Sequence, residues 1–226
     1  MQKKVQVLGM NSLFSYDNKF FQAINKIADC FFLSVLWVLF SIPIITAGAS
    51  CTATYYTMNK AIKGNRGYVW RSFWDSFKSN FKQSTLMWLI CLLVGGILGV
   101  DAYITYHMLG NGEKLGVFYY IFLVMIVFLI LWMVYLFSYV ARFEDSIKQT
   151  MKNCGIIAVA NLPRTCLIFL ELVVFVLIFF FVPVLSIFAP ALLCLAFNLT
   201  LEKVYQKYMS PEDIEREKEL EMEAKR

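Results

Sequence analysis

The sequence predicts an all-α fold: a polytopic membrane helix bundle of five or six transmembrane segments plus an amphipathic interfacial helix. Three observations lead there. Of 226 residues, 59% are hydrophobic and only 16% charged, whereas a soluble domain carries about a quarter charged residues. Uncharged runs long enough to cross a bilayer core, which takes about 20 residues, recur along the chain. Aromatic residues reach 17%, with 21 Phe, 12 Tyr and 5 Trp, as suits lipid-facing surfaces and headgroup-level belts. A water-soluble chain of this length cannot hide so much apolar surface.

The first segment covers about 27–45, preceded by Lys19 and Lys26 and interrupted at Pro43. Ala47-Gly48-Ala49 resembles a late signal-peptidase site, and Ala49-Ser50-Cys51 a lipoprotein box with Gly48 where an aliphatic residue belongs. The spans that follow argue against processing there. A second segment, 46–61, stays uncharged until Lys60 and is rich in small residues (Gly48, Ala49, Ser50, Ala53) that favour close helix packing. It either crosses the bilayer or re-enters beyond the Pro43 break.

Between 59 and 83 the chain is basic: Lys60, Lys63, Arg66, Arg71, Lys78 and Lys82 face the single acid Asp75. From Tyr68 onward Trp70, Phe73, Trp74, Phe77 and Phe81 recur at helical spacing, with Arg71, Asp75, Lys78 and Lys82 on the other side. This pattern predicts an interfacial helix with its aromatic face toward lipid and its basic face toward headgroups or a partner. It runs into a third segment, 84–106, whose Gly95 and Gly99 form a GxxxG packing ridge. The fourth segment is 115–141. The stretch 142–164 is polar, with Asp145 or Ser146 placed to cap a short surface helix ending before Pro163. Segments 164–182 and 184–203 follow, turning between Pro183 and Pro190. Residues 1–206 thus form one integral membrane domain, and 207–226 a charged, solvated tail.

Lys and Arg concentrate in 59–83 and 142–164, while 107–114 and 183–190 carry almost none. The positive-inside rule therefore places both basic segments and the C-terminal tail in the cytoplasm. Lys3, Lys4, Lys19 and Lys26 place the N-terminus there too, which requires the region 27–61 to return. Six segments satisfy this, with five as the alternative.

No motif names a reaction. A P-loop, HExxH, CxxC and GxSxG are all lacking, and His107 is the single histidine, so no His-cluster metal site or cofactor is expected. The six cysteines read as small buried hydrophobes. Glu171, about six residues inside an apolar span, is the leading intramembrane polar candidate. An ionised acid there costs roughly 2–3 kcal/mol unless paired or wet, and Arg164 or Lys148 is its expected partner. Asp29 and Asp101 sit near span ends and read as anchors. Arg66, Arg71, Trp70, Trp74, Lys78, Lys82, Arg142 and Arg164 are the candidate contacts with membrane surface or partner, with Arg142 and Arg164 expected to pair with Glu144 or Glu171. The basic-aromatic stretch 66–82 is continuous with a span, so lipid rather than nucleic acid is its partner.

Several blocks are similar to the YesL family of bacterial integral membrane proteins: Asn25-Lys26-Ile27-Ala28-Asp29, Ser41 to Ser50 with Tyr55-Tyr56, Gly67-Tyr68, Phe73, Phe77, Asn80-Phe81-Lys82-Gln83 and Trp88, Ala141-Arg142-Phe143, Ile147-Lys148-Gln149-Thr150, Asn161 to Thr165, and Leu201 to Tyr205. The resemblance implies a membrane domain of unknown activity whose genes lie near carbohydrate-uptake and polysaccharide-degradation genes in Gram-positive bacteria. It supplies no catalytic residues. The expectation is a non-enzymatic cytoplasmic-membrane accessory protein that binds a transporter complex, with homo-oligomerisation open through the GxxxG ridge. The alternatives are a small-solute transporter or channel built on Glu171 and the polar run 46–57, and a lipid-binding membrane domain.

Overall fold

The computed structural model describes residues 19–223; Lys3 and Lys4 of the expected basic N-terminus lie outside the described residues. The described chain is helical throughout: α1 (Lys19–Ser41), α2 (Ala47–Thr57), α3 (Val69–Gly110), α4 (Phe118–Val140), α5 (Ile147–Ala160), α6 (Leu162–Phe181), α7 (Ala189–Tyr205) and α8 (Pro211–Glu223). Short 3-10 helices stand at Ile44–Thr46, Lys114–Val117 and Pro183–Phe188 between them. Five stretches are long and apolar enough to cross a membrane: Ala23–Ser41, Val69–Gly110, Lys114–Val140, Leu162–Phe181 and Pro183–Tyr205. Their outward sides carry large exposed apolar residues, among them Leu93, Ile97 and Val100 on α3 and Val176, Phe180 and Phe181 on α6. In water such a surface would aggregate; in lipid it is at rest.

The segment 46–61 is not among the five. The chain breaks at Pro43, whose preceding residue is pushed out of helical geometry, and resumes as α2, which continues to Lys63 as a π-helix, Met58–Lys63. At 1.5 Å per residue the pair is about 25 Å long, short of the hydrocarbon thickness. Instead α2 is the centre of the bundle, packed by α1, α3, α4 and α7. Gly48, Ala49, Ser50, Thr52, Ala53, Thr54, Tyr55 and Thr57 are all buried. Gly48 sets the approach: a Cβ there would stand 2.6 Å from Trp88 Cβ and 2.8 Å from the Ser84 carbonyl oxygen. The hydroxyls are satisfied locally, Thr52, Thr54 and Thr57 donating to carbonyls four residues back and Thr52 pairing with Ser84 at 2.9 Å. A helix this polar can sit in the bilayer zone because protein, not lipid, surrounds it.

α3 departs from the expected in-plane amphipathic helix. Its 42 residues form one uninterrupted helix about 63 Å long, roughly twice the hydrocarbon thickness. The aromatic face expected in lipid is packed inside: Phe73 is 0% and Phe77 8% exposed, and the Phe40 ring of α1 lies 5.0–5.6 Å from Phe77, Phe73 and Trp74. Periodicity located the face correctly, but the apolar neighbour it buries against is another helix.

α3 and α4 form an antiparallel pair. At one end Gly116 fits where a Cβ would collide with the backbone of Leu109. At the other, Gln83 Nε2 donates to the Asp145 carbonyl oxygen at 2.9 Å. Of the GxxxG ridge, Gly95 faces Leu129 of α4, while Gly99 has open space. α5 starts as expected: the Ser146 side chain accepts from the Gln149 amide, and Pro163 opens α6 in its first turn. All six cysteines are free; Cys91, Cys154 and Cys194 are buried as expected, but Cys166 is exposed.

Candidate functional site

Charged groups from distant parts of the chain meet at the end of the bundle where α4 stops. Arg142 lies just past α4, where the helix ends in a turn. Its guanidinium holds both oxygens of Glu217 on α8, Nη1 donating to Oε1 at 2.8 Å and Nη2 to Oε2 at 2.9 Å. Nη2 also pairs with Glu202 Oε2 on α7 at 2.9 Å. Glu202 is only 5% exposed, and Tyr55 of α2 donates its hydroxyl to the other oxygen at 2.9 Å. The buried carboxylate therefore has a partner on each side, which is what its burial demands. The fork geometry explains arginine here, since lysine cannot serve two carboxylates this way.

Beside this network lies a cleft of about 760 Å³. The π-helix contributes Asn59 and Lys60, the loop after it Arg66, the α4–α5 connection Phe143 and Glu144, and α8 its inner side. A π-helix widens the local winding and recurs at functional sites; here it precedes Arg66, whose amide donates to the Lys60 carbonyl oxygen at 3.0 Å. Among the described residues Lys60 reaches only Tyr56, by a 3.0 Å hydrogen bond and a position 5.2 Å over the ring. Arg66 approaches Glu217 at 3.9 Å, too long for a hydrogen bond, and its Nε is buried without a partner among the described residues. Burial works against the charge of Arg142, but the hydrogen bond to Glu217 and the charges of Glu202 and Glu217 outweigh it and hold its pKa above the ordinary value. Burial raises the Glu217 carboxyl; its hydrogen bond to Arg142, then the charges of Arg142, Arg66 and Lys63, more than offset this and hold it below the usual glutamate range.

Among the described residues α8 packs along its length against no other helix; Glu217 ties it down. Residues 211–223 thus form a helix pinned over the cleft rather than a wholly solvated tail, and Glu202, at the end of the last apolar segment, is inside the bundle. Because the folded-state carboxyl of Glu217 titrates below its free value, docking is favoured at neutral pH. It is lost as pH falls below about 4.3, the ordinary glutamate value, and through the lower folded value. Protease cleavage within 211–223 is expected to rise over that interval, and Glu217→Gln to raise it already at pH 7. Cleavage independent of both pH and substitution would show that the Arg142 contact does not hold α8.

The other expected site residues are dispersed. Glu171 is half-buried on α6, and its partner is Thr200 of α7, which donates to Oε1 at 2.5 Å, rather than Arg164 or Lys148; Oε2 is buried without a partner among the described residues. Arg164 makes no ion pair among the described residues, and Arg142 takes Glu202 and Glu217 in place of Glu144. Asp29 and Asp101 are half-buried and without ion-pair partners among the described residues; only the backbone oxygen of Asp101 is engaged, by Thr105. On the projecting part of α3, Arg71 pairs loosely with Asp75 at 3.9 Å, both exposed, a contact of little energetic weight. Lys78 lies 4.8 Å over the Trp74 ring, Lys82 is exposed, and Trp70 is 49% and Tyr68 82% exposed. Among the described residues no group of three or more His, Cys, Asp or Glu is placed to hold a metal ion.

A second, apolar cavity of about 260 Å³ lies between α1, α2, α3, α4 and α7, lined by Trp37, Cys51, Trp88, Phe137 and Cys194 among others. Glu202, Glu217, Tyr55 and Lys60 were not among the site residues expected from the sequence. Glu202 sits at the end of an apolar run, and that position was the available signal.

A family model described as "Protein of unknown function, DUF624" matches residues 30–102, from within α1 into the span of α3. The match covers Tyr55, Lys60 and Arg66 of the site and ends before Arg142, Glu202 and Glu217. No curated protein and no solved structure matches the chain.

Proposed function

We propose that this is a YesL-type protein of the bacterial cytoplasmic membrane, non-enzymatic, with its C-terminal tail in the cytoplasm, and that it works as an accessory partner of a membrane transporter complex serving carbohydrate uptake. The observation that carries the reading is the part of α3 before Ser84, which extends past the end of α4 and presents Tyr68 and Trp70 to solvent beside Arg71 and Lys78. Exposed Trp, Tyr and Arg together are the residue types that dominate protein-binding hot spots. The matched family model, of unknown function, supports the family part of the reading; the carbohydrate part comes from the YesL resemblance.

The test is a crosslinking pull-down of the tagged protein from native membranes, read by mass spectrometry. A transporter subunit should be recovered with the wild type and lost with the double substitution Trp70→Ala, Arg71→Glu. Recovery of the protein alone, or only with copies of itself, would count against the reading and leave self-association as the observed state.

One observation favours a second reading, a small-solute transporter: the unpartnered Oε2 of Glu171 inside a candidate span. An uncompensated polar atom in the bilayer zone is a functional-site signal. Flux through reconstituted vesicles that disappears in Glu171→Gln would support it.

A further inference from the structure

We propose that the cleft beside Arg142 is a binding site for a phosphate group, and that α8 is its built-in competitor, with the Glu217 carboxylate standing where the phosphate binds. The proposal is independent of the partner-binding reading.

Arg66 carries the argument. Its side chain is 20% exposed, it makes no side-chain hydrogen bond among the described residues, and its Nε is buried without an acceptor. A guanidinium offers five donors and no acceptor, and leaving such a group buried and unserved is costly. The group it approaches, Glu217, is already held by both terminal nitrogens of Arg142. Arg142 also leaves its own Nε unpaired among the described residues. Lys60 lines the same cleft with an ammonium group that, among the described residues, meets only Tyr56. With Glu202 and Glu217 both paired to Arg142, the cleft still holds cationic donors that no carboxylate uses among the described residues.

With α8 lifted, the fixed wall of the cleft holds Lys60, Arg66 and Arg142 against Glu144, while Glu202 keeps one nitrogen of Arg142. A tetrahedral phosphate, with more oxygens and more charge than a carboxylate, matches two guanidinium forks and an ammonium. The cleft volume of about 760 Å³ falls within the usual range for small-ligand sites, about 300–1,000 Å³. The attachment of α8 is weak enough for exchange, because it rests on side-chain ties and not on packing along its length. The phosphate can belong to a soluble ester or to a lipid headgroup, since the cleft opens at the end of the bundle where α4 leaves the candidate span.

The full chain, purified in detergent, would be titrated with inorganic phosphate by calorimetry. In parallel it would be placed in phosphatidylcholine nanodiscs with or without phosphatidic acid, and α8 release would be read by limited proteolysis within 211–223. Binding is expected in at least one arm, accompanied by release of α8. The soluble arm responding identifies a free phosphate ligand; a response confined to phosphatidic acid discs identifies a lipid headgroup. Glu217→Gln should tighten binding, and Arg66→Ala should weaken it about tenfold or more, the equivalent of a lost charge-assisted hydrogen bond. Lys60→Ala is the second variant where Arg66→Ala does not fold. No binding in either arm by wild type and Glu217→Gln would overturn the proposal. So would binding that ignores Arg66→Ala and Lys60→Ala, or that leaves α8 docked.

Discussion

Arg142→Ala should cost about 3–5 kcal/mol of stability, the usual penalty for removing one partner of a buried ion pair. The reason is what it leaves behind. Glu202 would keep Tyr55 on one oxygen and lose the charge on the other, in a site where its side chain is 7% exposed. The same substitution frees Glu217, so the C-terminal helix should become protease-sensitive in the same variant. The check is thermal unfolding in detergent, followed by circular dichroism, alongside cleavage of 211–223. The double variant Arg142→Met, Glu202→Gln should recover much of the loss, because it removes both charges rather than one. If the single variant unfolds at the wild-type temperature, Glu202 is either solvated or already protonated, and the network does not hold the helices together.

Gly48→Ala should destabilise the bundle, although the same change on an exposed helix face stabilises by about 1 kcal/mol through helix propensity. The sign reverses because the new methyl would stand 2.6 Å from Trp88 Cβ, 2.8 Å from the Ser84 carbonyl oxygen and 3.0 Å from the Phe137 ring. Two of those neighbours are the Cβ of a ring that Ile44 holds by a 2.6 Å hydrogen bond and a backbone carbonyl, so neither yields easily. Overpacking of this kind costs about 1–3 kcal/mol, and Gly48→Leu should prevent α2 from seating at all. Gly99→Ala is the control: nothing lies within 4 Å of the added atom, so it should be neutral or stabilising. Equal responses at Gly48 and Gly99, measured by unfolding in the same detergent, would mean that α2 does not sit against α3 as described.

These two expectations also mark where the sequence could be read and where it could not. The small residues of 46–57 pointed to close packing, and α2 does pack closely. Its low hydropathy left open whether it crosses the bilayer, because hydropathy measures contact with lipid and α2 touches protein. The aromatic stripe Trp70, Phe73, Trp74, Phe77 was found from its spacing, yet spacing does not say what a face buries against. Phe40, more than thirty residues earlier, answered that. Glu171 stood out because it is an acid in an apolar run; Thr200, its partner, is an ordinary residue that no pattern marks.

The sequence by itself determined that this chain belongs in a membrane, the apolar runs outside 46–61 that are long enough to cross, the break at Pro43, the cap at Ser146 and the start of α6 at Pro163. All of these are compositional or local, set within a few residues of chain. The tertiary structure decided the rest: that α2 is enclosed, that α3 runs on beyond the span, and that Arg142 gathers Glu202 and Glu217. Ionic and hydrogen-bonded partners separated by 60 to 147 residues, such as Tyr55 and Glu202 or Arg142 and Glu217, leave no period in the sequence. They are chosen by which helix ends the packing brings together, because a charge taken out of water must find its partner in space and not along the chain.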